Sequence, residues 1–263
     1  MTSLASLTHN TVLQGIVIVV GSTLLSVAGL LAVARWVPVE LRASDNDVKA
    51  AFLSMAGVAY AILLAFVVVA VWTDFSDAGK TSQDEVTRLS NLMRDTGAFP
   101  DRVRVPMRRS VLAYADSVVN LEWRSMADGK SNPVTARRYE KMWSHWERYS
   151  PRAANADAFY GESISRLNDL ANNRRERLIA SRASVPTVLW LLLLLGFVVS
   201  MAFTYQFKMA RLTMHILSVA AIAALTGFVL FLIYSLQHPF AGSVAISPAP
   251  WREFLESWAN RPL

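Results

Sequence analysis

Apolar and polar positions in this chain sort into long blocks rather than a fine alternation. Residues 13–34, 50–72, 186–207 and 212–236 contain no Asp, Glu, Lys or Arg. A hydrocarbon core is spanned by about 20 apolar residues at a helical rise of about 1.5 Å per residue. In lipid the backbone must satisfy its own hydrogen bonds, so each run is expected to be a membrane-spanning helix. The first run could also pass for a secretion signal, because Ala32-Val33-Ala34 fits a small-x-small cleavage site. Residues 1–12 hold no Lys or Arg, however, and the run exceeds the roughly 7–15 residues of a signal core. It reads as a retained anchor.

Between the second and third runs lies a hydrophilic stretch with helical periodicity. Val86, Leu89, Leu92 and Met93 follow one another at helical spacing. Val111, Ala115, Val118, Val119, Glu122, Trp123 and Met126 form a second stripe, and Tyr139, Met142, Trp143 and Trp146 a third. Ile164, Leu167, Leu170 and Ala171 form a fourth. Pro100, Pro106, Pro133 and Pro151 punctuate these stripes, as expected between helices or in first turns. The pattern predicts a bundle of about four helices whose first and last members prolong spans two and three, with a kink at Pro186.

After the last apolar run the chain reads LQHPFAGSVAISPAPWREF. Pro239 stops the helix and Gly242 permits a tight turn. Trp251, Phe254, Leu255 and Trp258 have the spacing of a short amphipathic helix. So many apolar anchors predict a docked or interfacial segment. His238, Pro239, Phe240, Gly242 and Trp251 would then clamp the fourth span to the hydrophilic insert. The expected fold is an all-α integral membrane protein with four transmembrane helices and a helical extramembrane domain between spans two and three. Its parts are a first helix pair (1–73), the helical domain (74–185), a second helix pair (186–236) and the tail (237–263).

Composition supports the membrane reading. Of 263 residues, 53% are hydrophobic and 17% charged, against about 25% charged in soluble domains. The net charge of +6 fits orientation and contact with anionic lipid better than nucleic acid, which is not an expected partner. The short connections carry Arg35, Arg42 and Lys49, then Lys208 and Arg211. The positive-inside rule places both in the cytoplasm, with the helical domain on the outer side of the membrane. Arg174, Arg175, Arg177 and Arg182 pull the other way, but long inserts translocate largely regardless of charge.

Catalytic chemistry finds little support. Cysteine is absent, and His9, His145, His215 and His238 show no zinc-ligand spacing. No phosphate-binding glycine loop, nucleophile elbow or HExxH motif occurs, so neither enzymatic activity nor a cofactor is expected. Scattered carboxylates of the insert read as solvated helix faces. In the membrane, Ser54, Gly57, Tyr60 and Ala61 mark span two as either a helix-packing or a pore-lining face. Gly15, Ser22, Ser26 and Gly29 raise the same pair of readings in span one, as do Thr213, Ser218 and Thr226 in span four. His215 stands near the end of span four that faces Lys208 and Arg211, within reach of interfacial water. No span carries an acid, which disfavours proton-coupled transport.

Several motifs carry a resemblance. Gly57-Val58-Ala59-Tyr60-Ala61-Ile62-Leu63-Leu64 opens a span ending in Val71-Trp72, and Glu85 and Leu89-x-x-Leu92 follow. Tyr114 and Glu122-Trp123 come next, then Arg174-Arg175-x-Arg177-Leu178 running into Pro186-x-Val188-Leu189-Trp190. His238-Pro239-Phe240-x-Gly242 with Ile246-x-Pro248 closes the set. Together they resemble the bestrophin-like family of four-span bacterial membrane proteins, with Gln237 where an Asp is common. Bestrophins proper are oligomeric anion channels with a cytosolic region between spans two and three. The resemblance therefore implies a homo-oligomer that passes ions across the lipid bilayer, with a topology opposite to the one the charges suggest. The rival expectation is a non-conducting membrane scaffold or envelope sensor whose helical domain binds a partner.

Overall fold

The computed structural model describes residues 11–38, 46–207, 209 and 211–259. His9, Arg42, Lys208 and Arg261 lie outside the described residues. Within them the chain is all α, with no strand. The helices are α1 (Thr11–Trp36), α2 (Asn46–Asp95), α3 (Asp101–Ser117), α4 (Trp123–Ala127) and α5 (Pro133–Glu147). They continue as α6 (Ala154–Ala180), α7 (Thr187–Tyr205), α8 (Leu212–Leu236) and α9 (Ala249–Ala259). Four of them, α1, α2, α7 and α8, contain the long apolar windows and form the four spans of an integral membrane protein. The chain divides into two compact units, Met1–Thr73 with Ser184–Gln237, and Asp74–Ala183 with His238–Leu263.

In the first unit, small residues let helices approach. A side chain added at Gly15 would meet the ring of Phe231, and one at Gly227 would meet Ser22 Oγ and Val19 Cα. These contacts run antiparallel between α1 and α8. Gly29 lies under the Tyr205 ring and Gly196 under the Tyr60 ring. Leu30, Phe197, Met201, Val219 and Ala223 make up the packed centre. Hydroxyls are spent locally: Ser22 and Thr23 donate to Val19 O, and Ser26 to Ser22 O. Such bonds to the preceding turn satisfy the hydroxyl without any aqueous lumen. His215 is buried rather than wetted, with Nε2 donating to Thr204 O at 2.9 Å.

The second unit is built from amphipathic stripes. Along α2 beyond the apolar window, Ala78, Ser82, Glu85, Val86, Leu89, Leu92 and Met93 are buried at steps that keep one face inward. Span two is thus prolonged into this unit by one continuous helix of 50 residues. Span three is not prolonged. Helix α6 stops at Ala180, and residues 181–186 run as a turn followed by non-helical chain. Pro186 disfavours helical backbone at the residue before it, so α7 starts afresh instead of kinking.

Local chemistry sets the other boundaries. Asn132 caps α5, its Oδ1 accepting from Val134 N–H at 2.9 Å and Thr135 N–H at 3.4 Å, with Pro133 in the first turn. Pro100 is the cap residue of α3. Pro106 departs from its expected place between helices, because it lies inside α3. Between α3 and α4 the helix widens into a π turn, Val118–Glu122, closed by a bond from Trp123 N–H to Val118 O. The Thr135 hydroxyl donates to Ser117 O at 3.1 Å, tying α5 to the start of that turn.

Candidate functional site

The densest chemistry in the second unit is a charge cluster without solvent. Glu85 on α2, Glu122 at the end of the π turn and Arg177 on α6 are each 0% exposed. Arg177 Nε donates to Glu85 Oε2 at 2.6 Å. Its Nη2 donates to Glu122 Oε2 at 3.0 Å and Glu85 Oε1 at 3.3 Å. Arg174, one turn earlier on the same face of α6, donates to Glu122 Oε1 at 2.9 Å. The Tyr114 hydroxyl donates to Glu85 Oε1. Two carboxylates thus meet two guanidiniums, and the cluster is neutral.

Arg177 keeps its charge through these pairings. Burial would lower the basicity of Arg177, but Glu85, Tyr114 and Glu122 raise it above its ordinary value, so the guanidinium stays charged. Burial, followed by the charge of Glu85, holds the Tyr114 phenol well above its usual range, which keeps it a donor. A buried ion left unpaired is strongly destabilising, so the surrounding helices are constrained to keep these groups together.

The carboxy-terminal segment closes over the cluster. Trp251 is 0% exposed, with its ring 5.3 Å from the Arg177 guanidinium and its Nε1 donating to Ser82 Oγ at 3.0 Å. Phe240 is buried with Ala78 and Met126 and meets the Trp123 ring edge-on at 5.4 Å. Trp123 Nε1 donates to Ile246 O at 3.2 Å. Pro239 is buried, and its carbonyl accepts from Ile246 N–H at 2.8 Å. His238 O accepts from Ala241 N–H at 3.1 Å, and Gly242 turns the chain at φ 82°. A Cβ is strained at that angle, which explains the glycine. Gln237, in the first unit, accepts from Trp190 Nε1 at 3.2 Å and Val185 N–H at 3.3 Å. A neutral amide oxygen supplies both contacts.

Span two tells a different story. Ser54 and Ala61 are exposed and Gly57 is half-buried. Tyr60 points from the same helix onto Gly196 and donates to Leu193 O at 2.8 Å. A side chain added at Gly57 would meet nothing within 4 Å. The four positions therefore do not converge on one site, because Tyr60 packs inside the unit and its neighbours do not. Among the described residues, no group of acids and histidines is arranged to hold a metal ion.

A model of the bestrophin-like domain matches residues 20–251. The chain belongs to the bestrophin-like family. No curated protein matches it. Its fold is similar to crystal structures of a bacterial bestrophin homologue from Klebsiella pneumoniae. For one point mutant the TM-score is 0.71 at 15% identity, covering 94% of this chain and 100% of that one. A zinc-phased structure gives 0.69 at 16%, covering 94% and 99%. A second point mutant gives 0.70 at 17%, with the same coverage. At such identities the likeness concerns the fold.

In this bestrophin-like protein the motif residues Glu85, Tyr114, Glu122, Arg174 and Arg177 come together, and Glu85 and Glu122 are buried rather than on the solvated faces expected of the insert's carboxylates. The signal was present. Glu122 interrupts an otherwise apolar stripe, and Arg174 and Arg177 stand three residues apart on one helical face. Arg177→Met should cost roughly 3–5 kcal/mol of stability, because two carboxylates lose their shared cation in a dry site. Chemical denaturation of the full-length protein in detergent measures this. A loss within the roughly 0–1 kcal/mol of an exposed pair would contradict it.

Proposed function

We propose that the chain assembles with copies of itself into an ion-conducting ring in the bacterial inner membrane, lined in part by α2. One observation carries this reading. Small residues in a membrane helix serve close approach of another backbone. Gly15, Gly29, Gly196 and Gly227 have that use within the chain, whereas Gly57 on α2, like Gly21 on α1, opens onto empty space. Only 6% of the apolar window of α2 is buried, against 28% for α8. A second copy supplies the missing neighbour for the Ser54, Gly57 and Ala61 face. The family resemblance supports the same conclusion, since bestrophins proper are oligomeric channels.

Residues 50–72 hold no charged side chain, so an ion crossing along α2 would be handled by lumen width and by hydroxyls such as Ser54. In the same reading the tail, residues 237–263, is a clamp on the helical domain, residues 74–185. Its anchors are Phe240 and Trp251, both buried. Purified protein should migrate as a stable homo-oligomer and pass ions in planar bilayers. Gly57→Leu should dissociate the oligomer and abolish conductance while leaving the fold of the single chain intact. An assembly and conductance unaffected by Gly57→Leu would exclude this face, and a strictly monomeric protein would exclude the ring.

The helical domain faces the periplasm in this reading, on the strength of Arg35, Lys49 and Arg211 in the short connections. Ser131 is exposed in the domain and the native chain has no cysteine, so Ser131→Cys provides a unique label site. An impermeant maleimide should modify it in spheroplasts. Modification only after permeabilisation would put the domain in the cytoplasm, the side implied by bestrophins proper.

A further inference from the structure

Helices α3 and α5 run antiparallel, and a groove of about 350 Å³ opens between them. Pro106, Arg109, Ser110 and Ala113 line it from α3, and Arg138, Lys141 and His145 from α5. The spacings of three and four residues put each set on one helical face. Every charged group lining the groove is therefore basic. We propose that this groove binds a small anion bearing phosphate groups.

Arg138 is engaged by Asp116 Oδ2 at 3.0 Å and by Ala113 O at 2.9 Å. Arg109 and Lys141 are exposed, and neither forms an ion pair with the described residues. On α5, Glu147 lies roughly 200° around the helix from His145, and Glu140 roughly 200° from Arg138 and 100° from Lys141, so neither lines the groove. Arg104, by contrast, has its acid on the same helix, Asp101 at 2.6 Å. Burial, then Lys141 and Arg148, lower the basicity of His145, as expected where positive charge is concentrated.

Neither Arg109 nor Lys141 contributes to the core, so packing gives no reason for gathering like charges here. A ligand that neutralises them does. The volume falls at the lower end of the roughly 300–1,000 Å³ typical of small-molecule sites. Arginine offers forked donors to phosphate oxygens, lysine a point charge, and a neutral imidazole one further N–H. The phosphate could belong to a soluble metabolite or to a lipid headgroup, and both present the same oxygens.

The test uses full-length protein in detergent, titrated calorimetrically with inorganic pyrophosphate, and the same protein in nanodiscs with and without phosphatidylglycerol. Arg109→Gln combined with Lys141→Gln should weaken binding at least tenfold, with the thermal midpoint unchanged because both side chains are exposed. Arg137→Gln, an exposed cation beside the groove but outside its lining, should bind as the native protein does. Pyrophosphate binding lost in the double variant identifies a soluble ligand. No pyrophosphate binding, but a phosphatidylglycerol dependence lost in the double variant, identifies a headgroup. Binding of neither probe, or equal weakening by Arg137→Gln, overturns the proposal.

Discussion

Placing Arg177 between Glu85 and Glu122, away from water, constrains the whole helical unit. A guanidinium at 0% exposure survives only if its donors are met by charge and hydrogen bonds at close range. That requirement sets the register of three segments far apart in sequence: the extension of α2, the π turn and the end of α6. It also explains the aromatic cover. Trp251 lies against the guanidinium and excludes solvent, while its own N–H is met by Ser82. Hydrophobic groups of similar volume could pack such a site at least as stably. The cluster is therefore better understood as specifying one arrangement of these segments than as adding net stability.

In the membrane unit the governing constraint is close approach rather than charge. Without a hydrophobic driving force between helices in lipid, contact depends on surfaces that let backbones come near. The α1–α8 pair meets this demand within the chain through Gly15 and Gly227. On α2 only Tyr60 and its partner Gly196 show the same kind of fit, and the adjoining small residues stay uncovered. A helix so incompletely used by its own chain is the natural element for contacts between copies.

Much of this was legible in the sequence, for identifiable reasons. Charge-free runs long enough to cross a bilayer can be little else, so the four spans could be read directly. The stripe of Trp251, Phe254 and Trp258 gave the amphipathic α9, whose three aromatic residues are all buried. The pairing of Glu85 with Arg177 was not legible, because 92 residues separate them and periodicity carries no information about partners. Pro106 misled for a related reason. A proline early in a helix removes one backbone donor without ending the helix. The separate start of α7 likewise depended on how Ser181 through Pro186 leave the helical ladder, which an apolar pattern cannot show.

On the proposed reading the tail and the charge cluster form one cooperative body, with Trp251 and Phe240 as its closing anchors. Hydrogen exchange of the full-length protein, read by mass spectrometry, addresses that claim most directly. Residues 251–258 of α9 and residues 85–93 of α2 should exchange slowly and through a common opening, accelerating together in Trp251→Ala. Rapid exchange throughout α9, alongside undiminished protection of residues 85–93, would show a tail that merely rests on the unit and would contradict the account.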